Sequence, residues 1–467
     1  MRPSRSSDSS EEGVHMITVK KFGGTSVGSA EALRRVAKIV MSGEGQTVVV
    51  VSAMSGITNF LVGAADDKHA TDSDVFDKFE ARHMEVAKEL LKDMELAAFK
   101  ADFDERFDGF KAVYAERHST KDPYYKDNLT SQGERFSSLL LAHYICSLGG
   151  KSVALTSEDA GVYAVGSPLS GSCDLYRTSM DMDLNVKPLL DQGIIPVITG
   201  FYGINEEGKP LTFGRGGSDY AAAAIGNALD ADCVEIWTDV DGFMSADPRI
   251  VPDAVCIEEM NYGEAAELAY FGAKVLHPRT IEPARSKRIT VKILNSFHPE
   301  RPGTTIRWMR KRTGSLVKSV TNKSDMSVIT IRCGEIAYSP NLVARIIENL
   351  GRHEIAVYGI STSLSTLAFI LQNSDVPKII GELKMMNEES IEGIDIKSDV
   401  ALICVVGDDL LDKCGFSGDI FGAVKEVNAN VEMISEGASD VSLNFVVPSE
   451  HATDVVKIIH KKYVTGA

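Results

Sequence analysis

Lys21, Gly23, Gly24, Thr25 and Ser26 stand almost in direct succession, within Val19-Lys20-Lys21-Phe22-Gly23-Gly24-Thr25-Ser26-Val27-Gly28. Residues of these types hold phosphate. Paired glycines let backbone N–H groups approach an anion with no Cβ in the way. A lysine at a strand end can aim its charge at the same anion, and the hydroxyls of Thr25 and Ser26 add donors. Such a cradle needs a strand before it and a helix after it. An apolar run ends at Phe22, and Leu33, Val36, Ala37 and Val40 follow at helical spacing. The helix start would add unpaired N–H groups and partial positive charge. An ordinary strand-to-helix turn would account for a lone Gly-Gly; the lysine and the hydroxyls favour phosphate. The stretch is neither a Walker A loop nor a dinucleotide fingerprint.

Other candidates fall at the ends of predicted elements. Val48 to Val51, Val153 to Leu155, Ile194 to Ile198 and Val234 to Trp237 read as strands buried on both faces. Helical stretches separate them, including 135–148 and 219–229. This alternation predicts a largely parallel sheet covered by helices, whose ligands sit at the carboxyl ends of the strands. Ser52 ends the second strand and Thr58 lies just beyond it. Glu134 is expected in the first turn of a helix. Arg215 lies in a glycine-rich loop, with Ser218 and Asp219 opening the next helix. Simple capping is the alternative for Glu134 and Asp219. Residues 70–120 are charged and helical in pattern, and read as a helical insertion.

Composition narrows the class. The chain has 467 residues, too many for one core. Its net charge of −17 argues against nucleic-acid or anionic-membrane partners. No apolar run reaches membrane-span length. Residues 1–15 read as a disordered tail. The seven cysteines form no C-x-x-C pair, which suggests reduced thiols and a cytoplasmic protein. Asp239-Val240-Asp241 could open a calcium loop, but Met244 and Ile250 occupy its required positions. No zinc-type cluster is present. His277 reads as a structural hydrogen-bonder.

The last third contains a repeat. Position 329 maps to 403, 357 to 431 and 360 to 434, a constant offset of 74. This is a duplicated βαββ-type unit with a closing helix and strand. The closing strand, near Val455 to Ile459, could complete either copy.

The motifs together resemble those of the aspartate kinases, a branch of the amino-acid kinase family. The blocks are residues 21–28, Val51-Ser52-Ala53-Met54-Ser55-Gly56-Ile57-Thr58-Asn59, Ser131-Gln132-Gly133-Glu134-Arg135, Phe213-Gly214-Arg215-Gly216-Gly217-Ser218-Asp219-Tyr220, Trp237-Thr238-Asp239-Val240-Asp241-Gly242 and Phe271-Gly272-Ala273-Lys274-Val275-Leu276-His277-Pro278. The resemblance implies an α/β fold: an αβα sandwich with a mostly parallel sheet at 16–310, then two ferredoxin-like (βαββαβ) ACT domains at 316–394 and 395–467, with interleaving left open. It implies transfer of the ATP γ-phosphoryl group, with Mg²⁺ carried on the phosphates, to the side-chain carboxylate of L-aspartate. That is the first step towards lysine, threonine and methionine. A carboxylate has a pKa near ~4 and is already ionised, so no catalytic base is required.

The resemblance also implies roles. Lys21, Asp219 and Lys274 are catalytic. Ser52, Thr58, Glu134, Arg215 and Ser218 bind the amino acid. Gly23, Gly24, Thr25, Thr238, Asp239, Gly242, Met244, Arg249 and Lys274 bind the nucleotide. Met244 replaces a tyrosine common among relatives. Tyr358 stands where lysine-inhibited relatives tend to carry an aspartate, so threonine is expected as effector ahead of lysine. Ser339, Asn341, Ser435, Gly437 and Asp440 are the expected effector linings, at a seam between the two units. A homodimer or homotetramer is expected. The rival readings are a kinase for glutamate or an acylated amino acid, and an inactive amino-acid sensor.

Overall fold

The computed structural model describes residues 16–67, 71–272, 275–309, 316–334, 336–386, 390–408, 410–435 and 439–465. The expectations for residues 1–15, Lys274 and Gly437 therefore fall outside the described residues. The chain divides into two compact units. One runs up to Val240 and takes in Arg279–Pro302; the other comprises Asp241–Pro278 and the chain from Gly303. The segment 241–278 thus clusters with the C-terminal part of the chain.

The first unit is built on six parallel strands, in the order Thr290–Asn295, Cys233–Thr238, Ile17–Phe22, Gln46–Val51, Ile195–Thr199, Ser152–Leu155. Val48 to Val51 are fully buried, as a strand covered on both faces requires. Lys21 pairs in register with Val50 on one side and Ile236 on the other. Its strand lies where the strand order turns, the place where open α/β sheets leave a crevice at the carboxyl ends. Ser29 caps the helix Ala30–Met41 by accepting from Ala32 N–H, and the stripe Leu33, Val36, Ala37, Val40 is buried. Helices Asp72–Leu90 and Asp93–Ala115 form the insertion, joined by an aromatic cluster around Phe79, Phe103, Phe110 and Phe136. The helix expected at 135–148 instead begins ten residues earlier, at Tyr125–Ser147. Two short hairpins complete the unit. One pairs Ala164–Ser167 with Ser170–Cys173, and the other pairs Tyr202–Ile204 with Pro210–Thr212.

The second unit carries a six-stranded antiparallel sheet. Its order is Gly359–Thr362, Thr366–Gln372, Val317–Cys333, Ile391–Gly407, Ser442–Pro448, Met433–Ser435. The two central strands are each 17 residues long and pair along their whole length. Two separate cores flank them. Ile329, Ile331, Ile391 and Ile394 pack with the helices Pro340–Arg352 and Val376–Met385. Val317, Val320, Ile403 and Val405 pack with Phe416–Glu426 and Ala452–Tyr463. Each long strand therefore serves one core with its first part and the other with its second. The repeat is visible in the backbone as well. Asp325 and Asp399, and Glu354 and Asn428, adopt positive φ at positions separated by the same 74 residues. Residues 455–459, expected as a strand, lie inside the helix Ala452–Tyr463. The place of a closing strand in the second copy is taken by the start of Val317–Cys333, which comes before the first copy in the sequence.

Candidate active site

Lys21 is next to last in the central strand, its side chain only 10% exposed, and its ammonium forms an ion pair with Asp219. Asp219 lies in the first turn of the helix Gly217–Ala228. That helix has Gly216 at its N-cap, with φ 70°, and no side-chain cap. A β-carbon would be strained at that φ, and without a cap the N–H groups of the first turn stay open to an anion. The turn after Phe22 locks onto the turn after Val51: Ser55 N–H donates to Gly24 O at 3.1 Å. A Cβ on Gly24 would stand 2.9 Å from Ala53 O, so only glycine permits this approach. Gly23 lies under the lysine, its Cβ direction 3.6 Å from Lys21 Nζ. Thr25 is exposed on the same turn. Two expectations for this cradle change. Ser26 is buried and donates to Ser296 Oγ at 2.9 Å, so it braces the loop and does not face a ligand. The following helix begins only at Ala30, and Ser29 already occupies one of its N–H groups. The uncapped helix start near the lysine belongs to Asp219 instead.

Glu134 sits in the middle of its helix, not in the first turn, so helix capping does not explain it. It is buried, and Oε1 accepts from Ala53 N–H at 3.0 Å. Oε2 is buried with no hydrogen-bond partner among the described residues. Burial pushes its carboxyl up to about 8, against the pull of the Ala53 N–H and the nearby Lys21 and Arg135 charges. Gly133 makes the position possible: a Cβ there would stand 2.6 Å from Ala53 Cβ. Gly133 is thus a close-packing point within the helix.

Ser52 is half-buried at the end of its strand, its N–H bonded to Phe22 O at 3.1 Å, and Thr58 is half-buried in the first turn of Ile57–Asp66. Ser218 is buried, and its Cβ lies 2.8 Å from where a Cβ on Gly200 would be. Arg215 is exposed and makes no hydrogen bond or ion pair among the described residues. Thr238 is half-buried, and its hydroxyl donates to Asp239 Oδ1 at 3.2 Å. Its backbone carbonyl accepts from Ser296, which ties this turn to the Ser26 loop. Sequence reasoning missed Asp127, a fully buried carboxylate that accepts from Thr212 and Leu169. Its partners are 42 and 85 positions away, beyond the reach of any local pattern.

Gly242, Met244 and Arg249 belong to the second unit. Gly242 has φ 132°, and a Cβ there would meet Thr304 N at 3.0 Å and Cys256 Sγ at 3.1 Å. Packing alone accounts for this glycine. Met244 is half-buried and its carbonyl accepts from Ser319 at 2.9 Å. Arg249 is largely exposed and forks onto Asp247, with Nε to Oδ1 at 3.0 Å and Nη2 to Oδ2 at 2.6 Å.

The expected effector linings are not drawn together by any hydrogen bond among the described residues. Ser339 precedes the helix Pro340–Arg352, and Asn341 lies in its first turn. Their loop bonds to the turn at 363–365 of its own half, through Cys333 N–H to Ser365 O and Ala337 N–H to Leu364 O. Ser435 stands beside Gly359, where the two outer strands of the sheet approach each other, and Asp440 O accepts from Leu410 N–H. Tyr358 stacks on Tyr270, ring centroids 5.0 Å apart, with Lys323 Nζ 4.4 Å over its ring. It is a packing residue, so its identity no longer argues for threonine over lysine.

A family model described as the amino acid kinase family matches residues 16–295, and one described as an ACT domain matches 403–463. The chain is 33% identical over 457 residues to lysine-sensitive aspartokinase 3 of Escherichia coli K12, covering 95% of this chain and 98% of that protein. It is 30% identical to the bifunctional aspartokinase/homoserine dehydrogenase of Haemophilus influenzae, of which it spans 56%. The crystal structure of E. coli aspartokinase III with aspartate and ADP gives a TM-score of 0.82 at 30% identity, over 96% of this chain and all of that one. The same enzyme with lysine and aspartate gives 0.80, over 96% and 99%. The chain belongs to the amino acid kinase family and, within it, to the aspartokinases. None of these relatives supports threonine as effector; one is described as lysine-sensitive and its structure was solved with lysine. No helix among the described residues is long and apolar enough to cross a membrane.

Proposed function

We propose that the chain transfers the γ-phosphoryl group of ATP to the side-chain carboxylate of L-aspartate, giving 4-phospho-L-aspartate and ADP, under feedback from an amino acid bound by the C-terminal ACT units. The observation that carries this reading is the Lys21–Asp219 pair at the end of the central strand, with Glu134 buried within reach of the Lys21 charge. A carboxylate oxygen of aspartate attacks the γ-phosphorus, and the bond to the β–γ bridging oxygen breaks. The nucleophile is already ionised, so the protein's task is positioning and charge. Lys21 neutralises the transferring group, and Asp219 holds Lys21 in place. Gly23, Gly24 and Thr25 present donors to phosphate oxygens. Mg²⁺, carried on the nucleotide's phosphates, would supply further positive charge.

Arg215 has no hydrogen-bond or ion-pair partner among the described residues, which leaves its guanidinium fork for the α-carboxylate of the amino acid. The buried Oε2 of Glu134, without a hydrogen-bond partner among the described residues, fits the α-ammonium, with Ser52, Thr58 and Ser218 alongside. Thr238, Asp239, Gly242, Met244, Arg249 and Lys274 are assigned to the nucleotide by family resemblance. Lysine replaces threonine as the first effector to test, with Ser339, Asn341, Ser435, Gly437 and Asp440 as candidate contacts. A homodimer or homotetramer is the assembly proposed.

A coupled ADP-release assay with aspartate and glutamate side by side tests the reaction. Aspartate should be the better acceptor, and Lys21→Ala should lower kcat roughly a hundredfold or more, as loss of such an electrostatic group does. A folded Lys21→Ala protein with wild-type kcat, or a preference for glutamate, would sink the assignment.

A further inference from the structure

We infer that Asp127 is the positioning residue of the amino-acid site: its buried carboxylate ties the tip of the 164–173 hairpin to the strand that leads into Arg215. This rests on the assignment of Arg215 to the amino acid. Asp127 lies in the first turn of Tyr125–Ser147 and is fully buried. Oδ1 accepts from Thr212 N–H at 2.7 Å, from the Thr212 hydroxyl at 2.7 Å and from Leu169 N–H at 2.9 Å. Oδ2 accepts from Leu169 N–H at 3.2 Å. No cation pairs with it among the described residues; two N–H groups and one hydroxyl satisfy its charge. A buried carboxylate is costly to desolvate, and only such converging donors make it tolerable.

The two tied segments are in contact, and the hairpin tip is strained. Leu169 has φ 63°, an unfavourable value for a bulky residue that persists only where surroundings fix it. Leu169 O lies 3.0 Å from the position of a Cβ on Gly214, which has φ 72°. The hairpin tip therefore rests on the backbone just before Arg215. Arg279 secures the other end of the same contact. Its guanidinium donates to Gly171 O at 2.8 Å, Ser172 Oγ at 3.0 Å and Phe213 O at 3.4 Å. Arg215 itself has no partner among the described residues, so its loop is what aims it. Thr212 is three residues upstream; beyond its pairing with Tyr202, Asp127 holds both its N–H and its hydroxyl.

The test is titration calorimetry on the full chain, with L-aspartate and a non-hydrolysable ATP analogue measured separately, alongside steady-state kinetics. Asp127→Ala should weaken aspartate by about tenfold or more, the scale of losing buried hydrogen bonds. Nucleotide affinity should stay within about twofold, since no contact to the phosphate turn is lost. Asp127→Asn keeps an acceptor for Thr212 but turns an NH₂ towards Leu169 N–H, so it should fall between Ala and wild type. If Asp127→Ala does not fold, Asp127→Asn and Thr212→Val decide, each predicted to raise KM for aspartate and leave KM for ATP unchanged. Unchanged aspartate affinity in the folded variants, or equal weakening of both ligands, overturns the inference. A wild-type chain that binds no aspartate overturns the functional reading, and this inference with it.

Discussion

With its carboxyl held up to about 8 by burial, Glu134 is neutral in much of the free protein at pH 7. The unfolded chain has the ordinary value of 4.5. Between 4.5 and about 8 the folded state keeps a proton that the unfolded chain has lost, so this group's contribution to stability declines as pH rises through that window and levels off above it. Glu134→Gln cannot ionise and escapes that loss. Its Tm relative to wild type should climb from pH 5 to pH 8.5, while its affinity for aspartate collapses. A difference in Tm that is flat with pH would refute the burial argument. Aspartate binding should also release a proton near neutral pH, visible as a buffer-dependent enthalpy, because an ammonium placed at Oε2 favours the carboxylate.

At the scale of elements, the helix Tyr125–Ser147 carries both Asp127 and Glu134, and Gly133 sets how closely it approaches the Ala53 turn. Gly133→Ala should gain helix propensity of up to ~1 kcal/mol. The added methyl would meet Ala53 Cβ at 2.6 Å and Ile57 Cγ2 at 3.0 Å, and overpacking of this kind costs about 1–3 kcal/mol. The clash should prevail: calorimetry should find a lower Tm, and kinetics a higher KM for aspartate as the Ala53–Glu134 bond loosens. A raised Tm with unchanged KM would mean the helix has room to spare. This helix also marks the limit of what the sequence discloses. The parallel strands were legible because runs such as Val48 to Val51 are apolar throughout. The phosphate turn was legible because its parts are contiguous. The helix start was not, because Tyr124 offers no side-chain cap and Gly133 reads as a loop residue. Asp127 acts only through tertiary contacts. The helix at 452–463 was misread in part because 455–459 contains Val455, Val456, Ile458 and Ile459, apolar residues that suit a strand equally well.

Within the second unit, Lys318 and Glu264 form an ion pair at 2.7 Å with side chains 6% and 0% exposed, and Lys318 also donates to Glu259 O. The pair joins the helix Tyr262–Phe271 to the long strand Val317–Cys333. Removing one partner of such a buried pair strands a charge and costs about 3–5 kcal/mol. Lys318→Met should therefore lower the unfolding temperature markedly, and adding Glu264→Gln should recover much of the loss; an additive double variant would contradict the coupling. The strand that carries Lys318 has a wider consequence. Residues 317–323 complete the sheet of the later copy of the repeat, and 391–397 complete that of the earlier one. The copies are interlinked, not strung end to end, and the strand Ile391–Gly407 runs unbroken through 394 and 395. Recombination that exchanged one copy alone would carry away a strand belonging to its neighbour and strip Val317 and Val320 from the other core. It would also leave a raw sheet edge open to pairing with other chains. Transplanting the sensing apparatus between enzymes, by evolution or by engineering, therefore succeeds only when 316–465 travels as one block.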